Sequence, residues 1–349
     1  MSDLDQPNRE SEVIPVDPAD PDPGAIERAA LTLRAGGLVA FPTETVYGLG
    51  ANALDPEAIS AVFRAKGRPA TDPLIVHVSS IEMAKELTSQ WPATANAFAE
   101  AFWPGPLTLV LPKSPDISDA ITAGRPSVAL RVPSHPVAHA LIVAAGVPVA
   151  APSANRFGRI SPTRAAHVVD ELDGTYELLL DAGPTMVGVE SSVVDLSGES
   201  PALLRPGGVT LEQLLAVVPE VDYAERKSSD EDVDAVAPGQ FLRHYAPSTP
   251  LVLVDGGSAL VKELQTSVTK QGIRVDVLAL PEDPQVAARD LYRLLRSADK
   301  GEASLLLAQV QSDSGMGRAV NDRLFRASHG RVLRNSDPDT VSALAQLAL

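Results

Sequence analysis

The sequence predicts a two-domain α/β protein, a many-stranded mixed domain followed by a smaller parallel-sheet domain. Three observations lead there. The chain has 349 residues, 44% of them hydrophobic, which suits two folded units with at least one substantial core. From about residue 25 to 215, short apolar runs alternate with stretches of helical spacing. From residue 250 the alternation turns regular, strand then helix three times over, the pattern of an open α/β sheet.

Taken in order, residues 1–24 carry seven acidic residues against one Arg and read as a disordered, solvated acidic tail. The first domain spans residues 25–215. "GLVAFP" is a buried strand, and "PTETVYGLG" after it reads as a tight crossing from strand to helix, with its glycines in turns. "DPEAISAVFRAKGR" is a helix with Asp55 as N-cap and Pro56 in its first position. "PLIVHV", "LTLVLP" and "SVALRVP" are strands, and "SSIEMAKELT", "WPATANAFAEAFW" and "SHPVAHALIVAAG" are helices. "VPVAAP", "ELLLDAG", "SSVVDLS" and "ALLRPG" add short strands, and "TLEQLLAVV" a helix.

Residues 216–249 form a linker. Its part 221–237 is polar, charged and aperiodic, whereas "PGQFLRHYAP" is aromatic, basic and bounded by prolines. The second domain, residues 250–349, supplies the strands "LVLVDGG", "IRVDVLAL" and "SLLLAQV". Its helices are "SALVKELQTSVTKQG", "PQVAARDLYRLLRSA" and "MGRAVNDRLFRAS".

Bulk properties narrow the function. A formal net charge of −16 argues against a general nucleic-acid binder, which presents a basic face, but leaves room for a local basic pocket. The absence of cysteine removes disulfide frameworks and thiolate zinc sites. Of the six His, only His135 and His139 stand four apart on one predicted helix, and two His without further ligands do not make a closed four-ligand site, so no structural metal is expected. The N-terminus lacks the basic start and apolar stretch of a signal peptide. The most apolar run, "AHALIVAAGVPVAAPSAN", is interrupted by prolines and too short to span a bilayer. A cytoplasmic protein without membrane association is expected.

Four segments carry polar groups where a core would want none. "AFPTETVYGLGANA" places two threonines, a glutamate and a tyrosine at the mouth of a strand. In "RAKGRPATDPLIVH", Lys66 and Arg68 follow a helix, where cations complement its dipole or clamp a polyphosphate. In "SVALRVPSH", Arg131 sits in an otherwise apolar strand and needs a partner. That partner is an internal carboxylate, Glu44 or Glu190, or else a carboxylate or phosphate of a ligand. The fourth is "VPVAAPSANRFGRISPT" with "GVESSVVDLS" and "LLRPGG". There Ser153, Asn155, Ser161, Ser191, Ser192 and Arg205 lie at strand ends, where ligands of α/β sheets bind and where turn residues also occur. No Gly-x-Ser-x-Gly elbow is present, and no His is placed to act with Ser153. Together Lys66, Arg68, Arg131 and Arg205 describe an anion pocket that suits a nucleotide and a small acidic metabolite.

The ordered set "FPTETVYGLG", "AKGRPATDPLIVHV", "WPGPLTLVL", "VALRVPSH", "APSANRFGRISPT", "VGVESSVVDL" and "LLRPGG" resembles the YrdC-type threonylcarbamoyl-adenylate synthases. "PGQFLRHYAP" followed by a βα domain resembles the long, two-domain Sua type of that family. The resemblance implies a twisted mixed α/β sheet with an open concave face, then a Rossmann-like parallel domain. It implies synthesis of threonylcarbamoyl-AMP and pyrophosphate from L-threonine, bicarbonate and ATP, with Mg²⁺ accompanying the ATP. Downstream threonylcarbamoyl-transferase proteins then modify an adenosine of tRNA, so tRNA contact by this chain is indirect or weak.

The family's site transfers residue by residue. Thr45, His77, Arg131, Ala151 and Ser191 match positions that hold threonine, Ala151 through its backbone. Arg68, Asp72, Ser127, Ser153, Ser161 and Arg205 match positions around ATP. Lys66 is the basic position beside them, and with Arg68 forms the implied catalytic pair. Asp72 departs from a common pattern in which Asn precedes the proline. His244 and Tyr245 match the linker motif that folds over the pocket, and the resemblance does not divide the nucleotide contact between them. No covalent enzyme intermediate is required, in keeping with the absence of cysteine and of a serine triad.

Three other readings compete. Hydrogenase maturation factors share a YrdC-like domain but resemble cysteine-rich, zinc-fingered chains, unlike this one. A double-stranded RNA-binding module would present a basic concave face, yet residues 25–215 hold 13 Lys and Arg against 19 Asp and Glu. The intact motif set argues against an inactive homologue.

Overall fold

Asp55 accepts hydrogen bonds from the backbone of Glu57 and Ala58 and starts the helix Pro56–Lys66, which Gly67 ends in the left-handed conformation. The sequence signals for that helix thus hold at both ends. The computed structural model describes residues 11–223 and 244–348. In chain order the first domain contains β1 (Glu12–Pro15), α1 (Pro23–Arg34), β2 (Val39–Pro42), β3 (Tyr47–Asn52), α2 (Pro56–Lys66), β4 (Ile75–His77), α3 (Ile81–Glu86), α4 (Ala93–Phe102) and β5 (Leu107–Pro112). It continues with α5 (Asp119–Thr122), β6 (Ser127–Arg131), α6 (Pro136–Ala145), β7 (Val149–Ala150), α7 (Ala165–Leu172), β8 (Leu178–Asp181), β9 (Ser192–Asp195), β10 (Ala202–Arg205) and α8 (Leu211–Val217). The second domain contains β11 (Leu251–Val254), α9 (Gly257–Thr269), β12 (Val275–Leu278), α10 (Pro284–Asp299), β13 (Leu305–Gln309), α11 (Met316–Ala327), β14 (Val332–Leu333) and α12 (Pro338–Leu347).

The first domain is built on a ten-stranded mixed sheet in the order β1-β8-β2-β3-β7-β4-β6-β5-β9-β10. Side chains alternate between its faces, as the pleat demands. Val39 and Phe41 of β2 join a cluster with α1 and α6, while Ala40 points into a larger cluster with Leu49, Leu107 and Leu130. The second domain is a four-stranded parallel sheet in the order β12-β13-β11-β14. The expected fold class, a mixed sheet domain plus a smaller parallel one, is therefore what the chain adopts.

Four sequence expectations need correction. The acidic tail does not reach residue 24, because Glu12–Pro15 pairs in parallel with β8. Its apolar residues Val13 and Ile14 are enough to add an edge strand. The segment after β2 is not a crossing into a helix. Tyr47–Asn52 is a strand, antiparallel to β2. Its glycines serve close approach rather than turns, since a Cβ on Gly50 would lie 2.6 Å from Phe41 and 2.9 Å from Val149. The linker begins later than residue 216, because α8 runs to Val217 and Val218 and Val221 are buried in the first domain's core. Finally, β14 and α12 add a fourth unit to the second domain. The strand is only two residues long, too short for its pattern to be read.

The domains share apolar packing. Val46, Ile160 and Val189 of the first join Tyr245, Leu291 and Tyr292 in one buried cluster. Arg296 of α10 pairs with Glu171 at 2.6 Å beside it. No helix among the described residues is long and apolar enough to cross a membrane.

Candidate active site

The loop 43–46 between β2 and β3 folds onto itself. Thr43 Oγ1 donates to the Val46 carbonyl at 2.6 Å and accepts from the Thr45 and Val46 backbone at 3.2 Å. Its one proton is thereby used, so in the 2.8 Å contact with Thr45 the Thr45 hydroxyl donates. The Thr45 oxygen then accepts from Arg131 Nη2 at 3.0 Å. A directed chain of hydrogen bonds runs from the guanidinium through two threonines to the backbone.

Arg131 ends β6 and sits opposite His77 at the end of the parallel strand β4. Both side chains therefore stand at carboxyl ends of strands, where α/β sheets bind ligands. The Arg131 guanidinium pairs with Glu44 at 2.7 Å and donates through Nε to the Gly105 carbonyl at 3.3 Å. Its Nη1 makes no hydrogen bond with the described residues. Burial first, and Arg131 second, push the His77 pKa down to about 3, so the ring is neutral near pH 7. Its Nδ1 has no hydrogen-bond partner among the described residues.

The opposite wall comes from the ends of β9 and β10. Arg205 donates to the Ser191 carbonyl through Nε at 3.2 Å and Nη2 at 2.9 Å, and reaches Ser191 Oγ at 3.2 Å. Ser191 Oγ also meets Thr108 Oγ1 at 2.8 Å. The "PGG" turn explains this proximity: a Cβ on Gly207 would lie 2.4 Å from the Glu190 carbonyl oxygen, so only glycine lets the two backbones touch.

Arg68 closes the third side. It pairs with Asp72 at 2.8 Å and donates to the Pro73 carbonyl at 2.8 Å. Asp72 is fully buried, and burial pushes its pKa up against the opposing pull of Arg68 and Lys66. The Lys66 ammonium donates to the carbonyls of Ser153 and Asn155. Burial, then the charge of Arg68, hold its pKa well below the usual lysine range.

These groups enclose one cavity of about 50 Å³, room for a few waters at ~10–15 Å³ each. Of the residues matched to threonine, Thr45, His77, Arg131, Ala151 and Ser191 all line it. Of those matched to ATP, Arg68, Ser153, Arg205, His244 and Tyr245 line it as well. Lys66, Asp72, Ser127 and Ser161 do not. Lys66 and Asp72 lie one layer behind, holding the Ser153 loop and Arg68. Ser127 is four residues before Arg131 on the same strand, roughly 13 Å away along it. Thr43, Gly48, Ile75 and Glu190 also line the cavity. Glu190 appeared in the sequence only as a possible partner of Arg131.

The linker's end lies over this space. The His244 ring meets Phe157 edge-on at 5.8 Å and Tyr245 at 4.1 Å. Tyr245 has φ +61°, a strained backbone for a bulky residue that persists only where packing fixes it. Phe241 and Arg243 of the linker motif lie outside the described residues.

Fold and site together define an α/β protein whose mixed sheet carries one cavity lined by three arginines, Arg68, Arg131 and Arg205. Comparison with known proteins narrows this. Residues 31–207 match the Sua5/YciO/YrdC family, described as telomere recombination, and residues 209–329 match the threonylcarbamoyl-AMP synthase C-terminal domain. The threonylcarbamoyl-AMP synthase of Bacillus subtilis is 42% identical over 88% of this chain and 94% of its own. That of Schizosaccharomyces pombe is 34% identical over 87% and 88%. The crystal structure of Pyrococcus abyssi Sua5 complexed with L-threonine is similar at a TM-score of 0.89 and 42% identity, covering 93% of this chain and 100% of that one. The chain belongs to the threonylcarbamoyl-AMP synthase family.

Proposed function

We propose that this chain is a nucleotidyltransferase that condenses L-threonine, bicarbonate and ATP into threonylcarbamoyl-AMP and pyrophosphate, for threonylcarbamoyladenosine modification of tRNA. The observation that carries the reading is the cavity itself, with Thr45, His77, Arg131 and Ser191 at one end and Arg68, Ser153 and Arg205 around the rest. The Pyrococcus relative described as complexed with L-threonine supports the amino-acid end.

The chemistry follows from the groups present. The threonine amine and bicarbonate give a carbamate with loss of water. A carbamate oxygen attacks the α-phosphorus, the bond to the bridging oxygen breaks, and pyrophosphate leaves with the electron pair. Such a reaction needs alignment and charge stabilisation rather than a nucleophilic side chain. Arg131 receives the threonine carboxylate, and its Nη1 is the group available for it. Neutral His77 presents a hydrogen-bonding nitrogen without adding charge. Arg68 and Arg205 face the phosphates, where charge accumulates, and Lys66 and Asp72 keep the Ser153 loop and Arg68 in place. Among the described residues no group of three or more His, Cys, Asp or Glu could hold a metal ion. Mg²⁺ would enter on the triphosphate, as Mg·ATP. Threonylcarbamoyl-transferase proteins receive the product, and a cytoplasmic setting suits all three substrates.

The direct test is mass spectrometry of a reaction with isotopically labelled bicarbonate. Label recovered in threonylcarbamoyl-AMP supports the assignment. AMP and pyrophosphate without the labelled adduct would leave only an ATP pyrophosphohydrolase. Filter binding of double-stranded RNA across salt tests the rival module, whose affinity would fall steeply with ionic strength.

A further inference from the structure

One wall of the cavity is held from the second domain. Residues 186–192 carry Glu190 and Ser191. Gly188, at φ +81°, lays its backbone on α10, where a Cβ would lie 2.4 Å from the Arg289 Cα. The Tyr292 hydroxyl of α10 reaches both Glu190 carboxylate oxygens, at 3.0 and 2.8 Å. Arg323 of α11, fully buried, donates through Nε to Glu190 Oε2 at 2.7 Å. Its Nη1 donates to the carbonyl of Pro206 at 3.0 Å, next to Arg205, and to Asp322. The same guanidinium lies over the Tyr245 ring at 5.2 Å, and Tyr245 stacks on Tyr292 at 5.8 Å. One side chain thus touches a cavity carboxylate, the turn after Arg205 and the linker ring.

The charges give Arg323 a task. Glu190 lines the same cavity as Arg68, Arg131 and Arg205, and a carboxylate in an anion pocket competes with the anion. A buried carboxylate stripped of its cation is uncompensated, and Arg205 is the nearby cavity cation already acting on Glu190. We propose that Arg323 is a positioning residue for nucleotide binding: from the second domain it restrains the Glu190 carboxylate away from the cavity arginines and seats Tyr245, so the nucleotide site is complete only with both domains docked. This rests on the reading of the cavity as an ATP site.

The test uses the full chain and titrates Mg·ATP and L-threonine separately. The proteins are wild type, Arg323→Met, Arg323→Lys, Glu190→Gln and Glu190→Gln/Arg323→Met, each with its melting temperature. Arg323→Met is expected to weaken ATP at least tenfold with threonine within threefold. The double variant returns ATP affinity to within threefold of wild type, and Arg323→Lys falls between. Should Arg323→Met fail to fold, Arg323→Lys decides: weaker ATP binding with threonine within threefold supports the proposal, and unchanged ATP affinity overturns it. Equal losses for threonine and ATP, or a double variant as weak as Arg323→Met, overturn it too. A wild type that binds ATP but makes no threonylcarbamoyl-AMP refutes the synthase reading and leaves this proposal standing on affinities.

Discussion

Arg131 and Glu44 form an ion pair of 2.7 Å with both side chains less than a tenth exposed. The arginine that the sequence placed in an apolar strand has an internal carboxylate as partner, one of the two it allowed. A ligand carboxylate is not displaced by this, because a guanidinium has five donors and Nη2 and Nε carry the described contacts.

The two roles separate on mutation. Arg131→Ala strands Glu44 as a buried charge, at a cost of about 3–5 kcal/mol. Adding Glu44→Gln relieves most of that loss. The double variant is expected to fold near wild-type stability yet bind threonine more than tenfold weaker, with ATP affinity within threefold. Arg131→Lys should rescue threonine only in part, since the bidentate fork is lost. Calorimetric titration reads both, and full threonine affinity in the double variant would assign Arg131 to the internal pair alone.

His77 makes a pH prediction. Its folded pKa is lowered to about 3, while an unfolded His titrates near 6.5. Between those values the unfolded chain binds the extra proton, so stability falls as pH drops through the window, by up to about 1.4 kcal/mol per unit. His77→Gln is expected to flatten melting temperature against pH between 6.5 and 4.5. His135, His167 and His244 are also lowered and remain in both proteins, so the difference isolates His77. Identical slopes would mean that His77 charges at no cost.

The linker's end borders the candidate site. His244 and Tyr245, at the linker's end, line that cavity beside Arg68 and Arg205. Ligands are therefore expected to change exposure of the adjoining segment. Limited proteolysis at Arg243, with and without threonine, bicarbonate and a non-hydrolysable ATP analogue, should show protection when all are bound. His244→Ala/Tyr245→Ala should lose the intermediate to water faster. Equal cleavage rates in both states would leave an ordinary connector.

Much of this was legible in the sequence, and the gaps have physical causes. The helix at Asp55 and the three βα units of the second domain carry caps and periods that act locally. The strand Tyr47–Asn52 escaped because Gly50 answers to Phe41 on the neighbouring strand and to Val149, far away in sequence. Ten cavity residues came from the motif set, yet Arg323 and Tyr292 did not. They lie on amphipathic helices whose spacing says only that one face is buried, not that it is buried against Glu190.

Amino-acid choice should be moderate. One methyl group separates threonine from serine, worth roughly 1–3 kcal/mol, or 10–200-fold, in an apolar pocket. Competition between the two, read as the ratio of adenylates formed, is expected within that range. No preference would mean that the threonine methyl does not pack on the apolar residues lining the cavity, among them Val46 and Ile75.

The central claim is tested most directly by pyrophosphate release, measured with L-threonine, bicarbonate and Mg·ATP together and with each omitted in turn. The account predicts release that depends on all three, and background when any one is missing. Equal release without threonine, or without bicarbonate, would contradict it.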